Sequence, residues 1–255
     1  MDDLVSAGVE DWSLTSIHDV SSVDESSVVA EQISYYRARA AEYDGWFFRQ
    51  GRYDRGEDAT RRWREQVDEV RDVLRGLPID GRDVLELAPG TGLWTEEICE
   101  RVAHLTAVDA SSEMIALNRR RLGERVRRVT YVEADLFQWR SARPYDAVIF
   151  CFWISHVPAR RIDGFLANVA AMLAPGAPVF FLDGLKEHTS TASDHVLPAS
   201  DDEVMTRRLD DGREFTIIKN YWSAPVLEAK CERAGLRVTI HETADYFQYG
   251  VGIRA

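Results

Sequence analysis

Residues 84–95 read VLELAPGTGLWT, and residues 105–115 read LTAVDASSEMI. The first piece is an apolar run of strand length that carries an acid, Glu86, and opens into small residues, Ala88-Pro89-Gly90-Thr91-Gly92. Such a loop can hold a dinucleotide, a sulfonium cofactor, or nothing beyond its own turn. Open α/β sheets bind ligands outside the carboxyl ends of their strands, and Gly90 and Gly92 let backbone approach a ligand without interference from a Cβ. A dinucleotide fingerprint needs a third glycine where this chain has Thr95. Glu86 separates the readings. A carboxylate here repels a pyrophosphate at a helix N-terminus, but it suits a cofactor with a cationic sulfonium and an α-ammonium group. Asp109, at the tip of the second strand, suits two ribose hydroxyls, because an ionised carboxylate accepts both hydrogen bonds. Asp135, in EADLF after the third strand, is placed to accept from an adenine amino group. Three acids after three consecutive strands are more specific than the two glycines.

Working outward, strands and helices alternate. VLEL at 84–87 is a strand, with a helix predicted over 93–103. LTAVD at 105–109 precedes a helix capped by Ser111 or Ser112 with Glu113 in its first turn. Strands follow at 128–134, 145–152 and 178–183, with a helix over 159–173. Continuous apolar strands separated by helices predict a parallel sheet covered on both faces. The rhythm then changes: EVMTRRL-DDG-REFTIIK is a β-hairpin turning at Asp210-Asp211-Gly212, followed by a helix over 224–234 and two last strands. Before the sheet, 31–50 and 58–77 are helical, and Tyr36, Arg39 or Ala40, and Tyr43 share one face. Residues 1–28 hold no Lys or Arg and several acids, and read as a mobile acidic extension.

The totals narrow the function. A chain of 255 residues is long enough for one domain with a full core. No apolar run reaches the eighteen residues that would span a membrane, and the N-terminus lacks a basic region followed by an apolar stretch, so no signal peptide is expected. Cys99, Cys151 and Cys231 lie far apart without metal-ligand spacing, as expected for reduced thiols in a cytoplasm and no metal site. The net charge of −12 argues against a nucleic-acid partner, whose phosphates need a basic face. The arginines over 117–128 are interleaved with Glu124 and read as a solvated helix face. A small-molecule acceptor is the expected partner; whether the chain is a monomer or a dimer is not legible.

VLELAPGTGLWT, LTAVDASSEMI, VEADLFQW and YDAVIFCFWISHVP together resemble the class I S-adenosylmethionine-dependent methyltransferases over about residues 31–255. Through SYYRARAAEYD, FWISHVP and LDDGREFTIIK the chain is most similar to small bacterial natural-product methyltransferases, such as the phosphonate O-methyltransferase of dehydrophos biosynthesis. The resemblance implies a Rossmann-like α/β fold with a seven-stranded, mostly parallel sheet whose last strand is antiparallel. An N-terminal helical lid over 29–79 and a β-hairpin insertion after strand 5, a substrate cap over 200–222, complete the methyltransferase domain of 29–255. It implies S-adenosyl-L-methionine as cofactor and S-adenosyl-L-homocysteine as product. Beyond Glu86, Gly90, Asp109 and Asp135 it extends the cofactor site to Ala88, Thr91, Trp94, Ala110, Met114, Leu136 and Phe152. Tyr36, Arg39 and Tyr43 of the lid close over the methionine part, with Arg39 placed to pair with its carboxylate.

Two sets of residues compete for the acceptor. His156, in FWISHVP, could take a proton from a hydroxyl or amine, or could be structural, capping the helix that starts near Pro158. The hairpin carries Arg207, Arg208, Arg213 and Lys219. Arg207 and Lys219 match the phosphonate enzyme's substrate cations and suit an anionic acceptor that needs no base. WFFRQGRYDRG, after Asp44, departs from that enzyme, and Trp46, Phe47, Phe48 and Tyr53 suggest a more aromatic acceptor pocket or simply a core. The reading is a methyltransferase acting, on oxygen, on a small metabolite of secondary metabolism. The alternatives are methylation at nitrogen or carbon, a non-methylating cyclase using the same cofactor, and, more distantly, a nucleic-acid methyltransferase.

Overall fold

In the computed structural model, which describes residues 24–197 and 202–255, VLEL forms the third strand of a seven-stranded sheet. The strands are β1 (Asp83–Leu87), β2 (His104–Asp109), β3 (Val129–Glu133), β4 (Ala147–Cys151), β5 (Pro178–Gly184), β8 (Leu236–Glu242) and β9 (Phe247–Arg254). Their order is β3-β2-β1-β4-β5-β9-β8. Strands β1 to β5 run parallel, and β9 runs antiparallel to both of its neighbours. The order reverses between β1 and β4, so the carboxyl end of β1 lies at the switch point where such sheets take ligands.

Alternation along each strand explains why the sheet is covered twice. Val84 packs into a core with Trp63, Val70 and Leu74 of α3 (Glu57–Arg75), while Leu85 and Leu87 join the opposite core with Phe165 and Leu166 of α6 (Ile162–Ala171) and Leu227 of α7 (Ala224–Arg233). Successive strand side chains point to opposite faces, so a run apolar at adjacent positions needs helices on both. The hairpin, β6 (Val204–Arg208) and β7 (Glu214–Ile218), is a separate two-stranded sheet. Met205 and Ile217 bury against Tyr35 of α1 (Glu25–Arg39) in a third, smaller core.

Three expectations are corrected. The single helix over 31–50 is two: α1 ends at Arg39, and α2 (Tyr43–Phe47) begins after a turn at 40–42. The turn brings Trp46 against Phe152, 4.9 Å between ring centroids, a tertiary gain invisible to helical periodicity. The helix over 93–103 shortens to α4 (Thr95–Ile98), because Arg101 leaves it to hydrogen-bond the Leu74 and Leu77 carbonyls at the end of α3. Residues 25–28, assigned to the acidic extension, are the first turn of α1, where Glu25 is buried and paired with Arg160 and Arg161. Residues 1–23 of that extension lie outside the described residues, as do 198–201. Among the described residues no helix is long and apolar enough to cross a membrane.

The antiparallel end of the sheet depends on close backbone approach. A Cβ at Gly252 would fall 2.1 Å from the Arg237 carbonyl oxygen and 2.6 Å from the Val238 Cα, and backbone cannot move aside cheaply. Gly252→Ala is expected to cost roughly 3 kcal/mol in urea denaturation; a loss below about 0.5 kcal/mol would contradict the β8–β9 pairing.

Candidate functional site

Strand ends and lid meet around three adjoining cavities. The first, about 680 Å³, has Ala88 and Gly90 from the glycine loop, Asp109 and Ala110 from the end of β2, and Asp135 and Leu136 after β3 on its walls. Met114 of α5 (Ser112–Leu122) completes that side. The second, about 300 Å³, is bounded by Glu86, Thr91 and Trp94. The third, about 630 Å³, holds Arg39, His156, Arg207 and Lys219. Phe152 and Tyr43 border all three, and Tyr36 borders the first and third. The residues read as cofactor-binding therefore converge on the first two cavities, with one difference. Arg39, expected beside the methionine carboxylate, faces the third cavity.

The strand ends are strained and charged. Ala88 and Phe152, at the tips of neighbouring strands, have φ of 51° and 56°, the left-handed region that costs a non-glycine residue about 1 kcal/mol or more. Gly92 has φ of 91°, and a Cβ there would meet the Asn118 side chain at 2.9 Å. Burial pushes the Glu86 carboxyl up to about 8, with Thr95 opposing and Asp109 adding to the rise. Its Oε2 is buried without a hydrogen-bond partner among the described residues. Burial likewise raises Asp109 to about 6, against the amides of Ser111 and Gly90, which donate to its two oxygens at 2.9 and 3.1 Å. Each oxygen keeps a lone pair for one more donor. Asp135 accepts from the Phe137 amide and from Gln138 Nε2, both at 2.8 Å, so it also ties its own turn. An unpaired buried acid beside one cavity and a half-satisfied acid beside the next fit a ligand with a cation at one end and a diol further along.

The N-terminal helices are tied to this loop. Asp44 of α2 accepts from Thr91 Oγ1 at 2.7 Å and pairs with Arg121, which also donates to the Thr91 carbonyl at 2.9 Å. Gln32 of α1 donates to the His156 carbonyl and accepts from the Ile218 amide. Sequence reasoning missed Gln32, Asp44 and Arg121, since lone polar residues on helices carry no signal until their partners are placed.

The third cavity separates the acceptor candidates. His156 is not a helix cap: it sits in a short 3-10 turn over Ile154–His156, ahead of α6. Its Nδ1 lies 2.7 Å from the Ile218 carbonyl oxygen, which can only accept, so Nδ1 donates and Nε2 accepts from the Tyr36 hydroxyl at 2.7 Å. Burial first, then the charge of Lys219, lowers its pKa to about 3. Lys219 is buried, donating to Ser155 Oγ at 2.7 Å and to Asp183 Oδ1 at 3.0 Å. Burial alone would raise the Asp183 carboxyl, but Lys219 holds it below its usual value. Arg207 donates to Thr191 Oγ1 and His195 Nδ1 at 2.5 and 2.6 Å. Among the described residues it has no carboxylate partner, and no group of three or more His, Cys, Asp or Glu could hold a metal ion. Arg213 instead pairs with Asp211 in the turn, away from the cavity. Of the aromatics after Asp44, Trp46 and Tyr53 line the third cavity, Phe47 is core, and Phe48 is exposed.

Comparison with known proteins gives consistent results. A family model described as a methyltransferase domain matches residues 84–176. The ubiquinone biosynthesis O-methyltransferase of Aromatoleum aromaticum is 29% identical over 111 residues, 43% of this chain and 47% of that protein; the chain thus spans about half the length of that curated relative. Among solved structures, the DhpI–SAM–HEP complex is 33% identical with a TM-score of 0.71, covering 88% of this chain and 97% of that one. The DhpI–SAH complex is 32% identical with a TM-score of 0.68, covering 89% and 97%.

The His156 environment makes a prediction about acid stability. Its imidazole stays neutral in the folded chain down to about 3 but takes a proton near its ordinary 6.5 when unfolded. Its contribution is therefore complete above pH 6.5 and is lost progressively as pH falls toward 3, roughly 2 kcal/mol by pH 5. Between pH 7 and 5 the unfolding free energy should fall by about that much more in the wild type than in His156→Gln. Equal falls would contradict the buried neutral imidazole.

Proposed function

The chain belongs to the class I S-adenosylmethionine-dependent methyltransferases, and from that premise we propose that it methylates an oxygen of a small anionic acceptor, a carboxylate or phosphonate of secondary metabolism. When bound, S-adenosylmethionine supplies a methyl group already activated by its sulfonium, and the reaction leaves S-adenosylhomocysteine. The chain's own residues align and neutralise. In this reading Asp109 holds the ribose diol, Asp135 faces the adenine, and Glu86 meets the ammonium and sulfonium charges. Ala88, Gly90, Thr91, Trp94, Ala110, Met114 and Leu136 shape the walls. Phe152, Tyr36 and Tyr43 stand where donor and acceptor cavities meet and exclude water there, so that the two reactants approach in line.

One observation carries the choice of an anion: the acceptor-side cavity is lined by Arg39, Arg207 and Lys219, with Asp183 behind Lys219 as the carboxylate that answers them among the described residues. An anionic oxygen attacks without losing a proton, so no base is required. His156, the candidate base, has both ring nitrogens occupied and is a weak acceptor of protons, which favours a positioning role: it orients Tyr36 toward the cavity junction. Transfer to oxygen also agrees with the O-methyltransferase relative, and an acceptor beside the cofactor with the composition of the DhpI–SAM–HEP complex.

Two pools of acceptors test this reading with a labelled methyl group, one of small phosphonates and carboxylates, the other of phenols, alcohols and amines. Label is expected in the anionic pool, with Arg207→Gln raising the acceptor KM at least about tenfold, the value of one lost charged contact. Asp109→Ala should weaken S-adenosylhomocysteine binding by about tenfold or more for the same reason. Label confined to the neutral pool, and lost in His156→Asn, would sink the anionic reading.

A further inference from the structure

We propose that Arg39 is a receptor for acceptor charge rather than a cofactor residue, and that with Arg207 it makes the third cavity selective for acceptors carrying two negative charges. This rests on the acceptor reading above and adds the residue and the charge that set its specificity.

Arg39 is nine-tenths buried, 9% exposed. Of its five N–H donors, one has a partner among the described residues, the Tyr53 hydroxyl at 3.3 Å. Its Nε is buried with none, and no carboxylate of the described residues lies within ion-pairing distance. Four rings surround the guanidinium, with centroids 5.0 Å away for Tyr43, 5.6 Å for Tyr35, and 5.9 Å for Trp46 and Tyr53. Aromatic faces attract the cation but accept few of its hydrogen bonds. A buried guanidinium so placed lacks the counter-charge that offsets its desolvation.

Arg207 repeats the pattern: its Nε is also buried and unpartnered, and its bonded partners, Thr191 and His195, are uncharged, the latter because burial and the neighbouring arginines lower it to about 4. Lys219 differs, because Asp183 already neutralises it. The cavity therefore presents two uncompensated guanidiniums, supplied by α1 and the hairpin. A guanidinium fork matches the oxygens of a carboxylate, phosphonate or phosphate, and two such charges call for a dianion: one doubly ionised head or a dicarboxylate. The cofactor's own carboxylate is the rival occupant for Arg39. Against it, the cavities that touch the glycine loop are lined by Glu86, Thr91 and Trp94 on one side and Asp109 on the other, and Arg39 borders neither.

The test uses the full chain saturated with S-adenosylhomocysteine and follows tryptophan fluorescence, since Trp46 and Trp63 line the cavity. Methylphosphonate and succinate are the dianionic probes, at a pH where both are doubly ionised, and acetate is the monoanion. At least one dianion should bind at least about tenfold more tightly than acetate, the two probes distinguishing a single head from separated carboxylates. Arg39→Gln should lower that affinity about tenfold or more while S-adenosylhomocysteine affinity stays within about threefold, and Arg39→Lys, which keeps the charge, should recover part of it. A dianion affinity no better than acetate's, one unchanged in Arg39→Gln, or a tenfold loss of S-adenosylhomocysteine affinity in that variant would each overturn the proposal. Because the titration needs no turnover, it stands apart from the labelling result. Label found only in neutral acceptors would defeat the transfer reading without altering what the titration reports about Arg39.

Discussion

A buried ionisable group without its counter-charge is costly, and this fold maintains such groups on both sides of one aromatic ring. On one side of Phe152, Glu86 sits on β1 with an unpartnered oxygen and a raised pKa. On the other, Arg39 and Arg207 keep unpartnered Nε atoms. The acids and guanidiniums do not pair, because they project from different elements into different cavities, with Tyr43 and Phe152 bordering both. Two complementary environments thus meet at a hydrophobic partition. One suits a cationic group, the other an anionic one. Desolvation makes each interaction across that partition stronger than it would be in water.

That separation is held by polar ties rather than by the lid's own helical stability. Asp44 joins α2 to Thr91 of the glycine loop and to Arg121 of α5. Gln32 joins α1 to the turn carrying His156 and to β7. Trp46 donates to the Ser190 carbonyl at 2.8 Å, and Thr191 next to it holds the Arg207 guanidinium. The N-terminal helices, the glycine loop and the hairpin are therefore linked through hydrogen bonds.

Much of the fold was legible because its signals are local. Apolar strands of four to six residues, Ser111 as a helix cap whose hydroxyl oxygen accepts from the Met114 amide, and DDG at a hairpin turn each depend on neighbours close in sequence. The failures share one cause. The break at 40–42, the shortening of the helix after Trp94 and the folding-in of Glu25 are all set by partners more than ten residues away, Phe152, Leu74 and Arg160 among them. Local propensity is a weak prior that tertiary packing overrides.

The site divides along the same line. Strand-end position is a sequence property, so Glu86, Asp109 and Asp135 could be placed at the carboxyl ends of neighbouring strands from spacing alone, and the sequence by itself determined the sheet, the switch point and the class of cofactor. It could not determine which polar groups were already satisfied. That Lys219 is spoken for by Asp183, that His156 is held at both nitrogens by Tyr36 and Ile218, and that Arg39 shares a cavity with Arg207 rather than with the glycine loop are facts of three-dimensional proximity, the hydrogen-bonded pairs among them lying 36 to 120 residues apart in the chain. Only the tertiary structure decided them, because hydrogen-bond satisfaction and desolvation act through space and leave no periodicity in the chain.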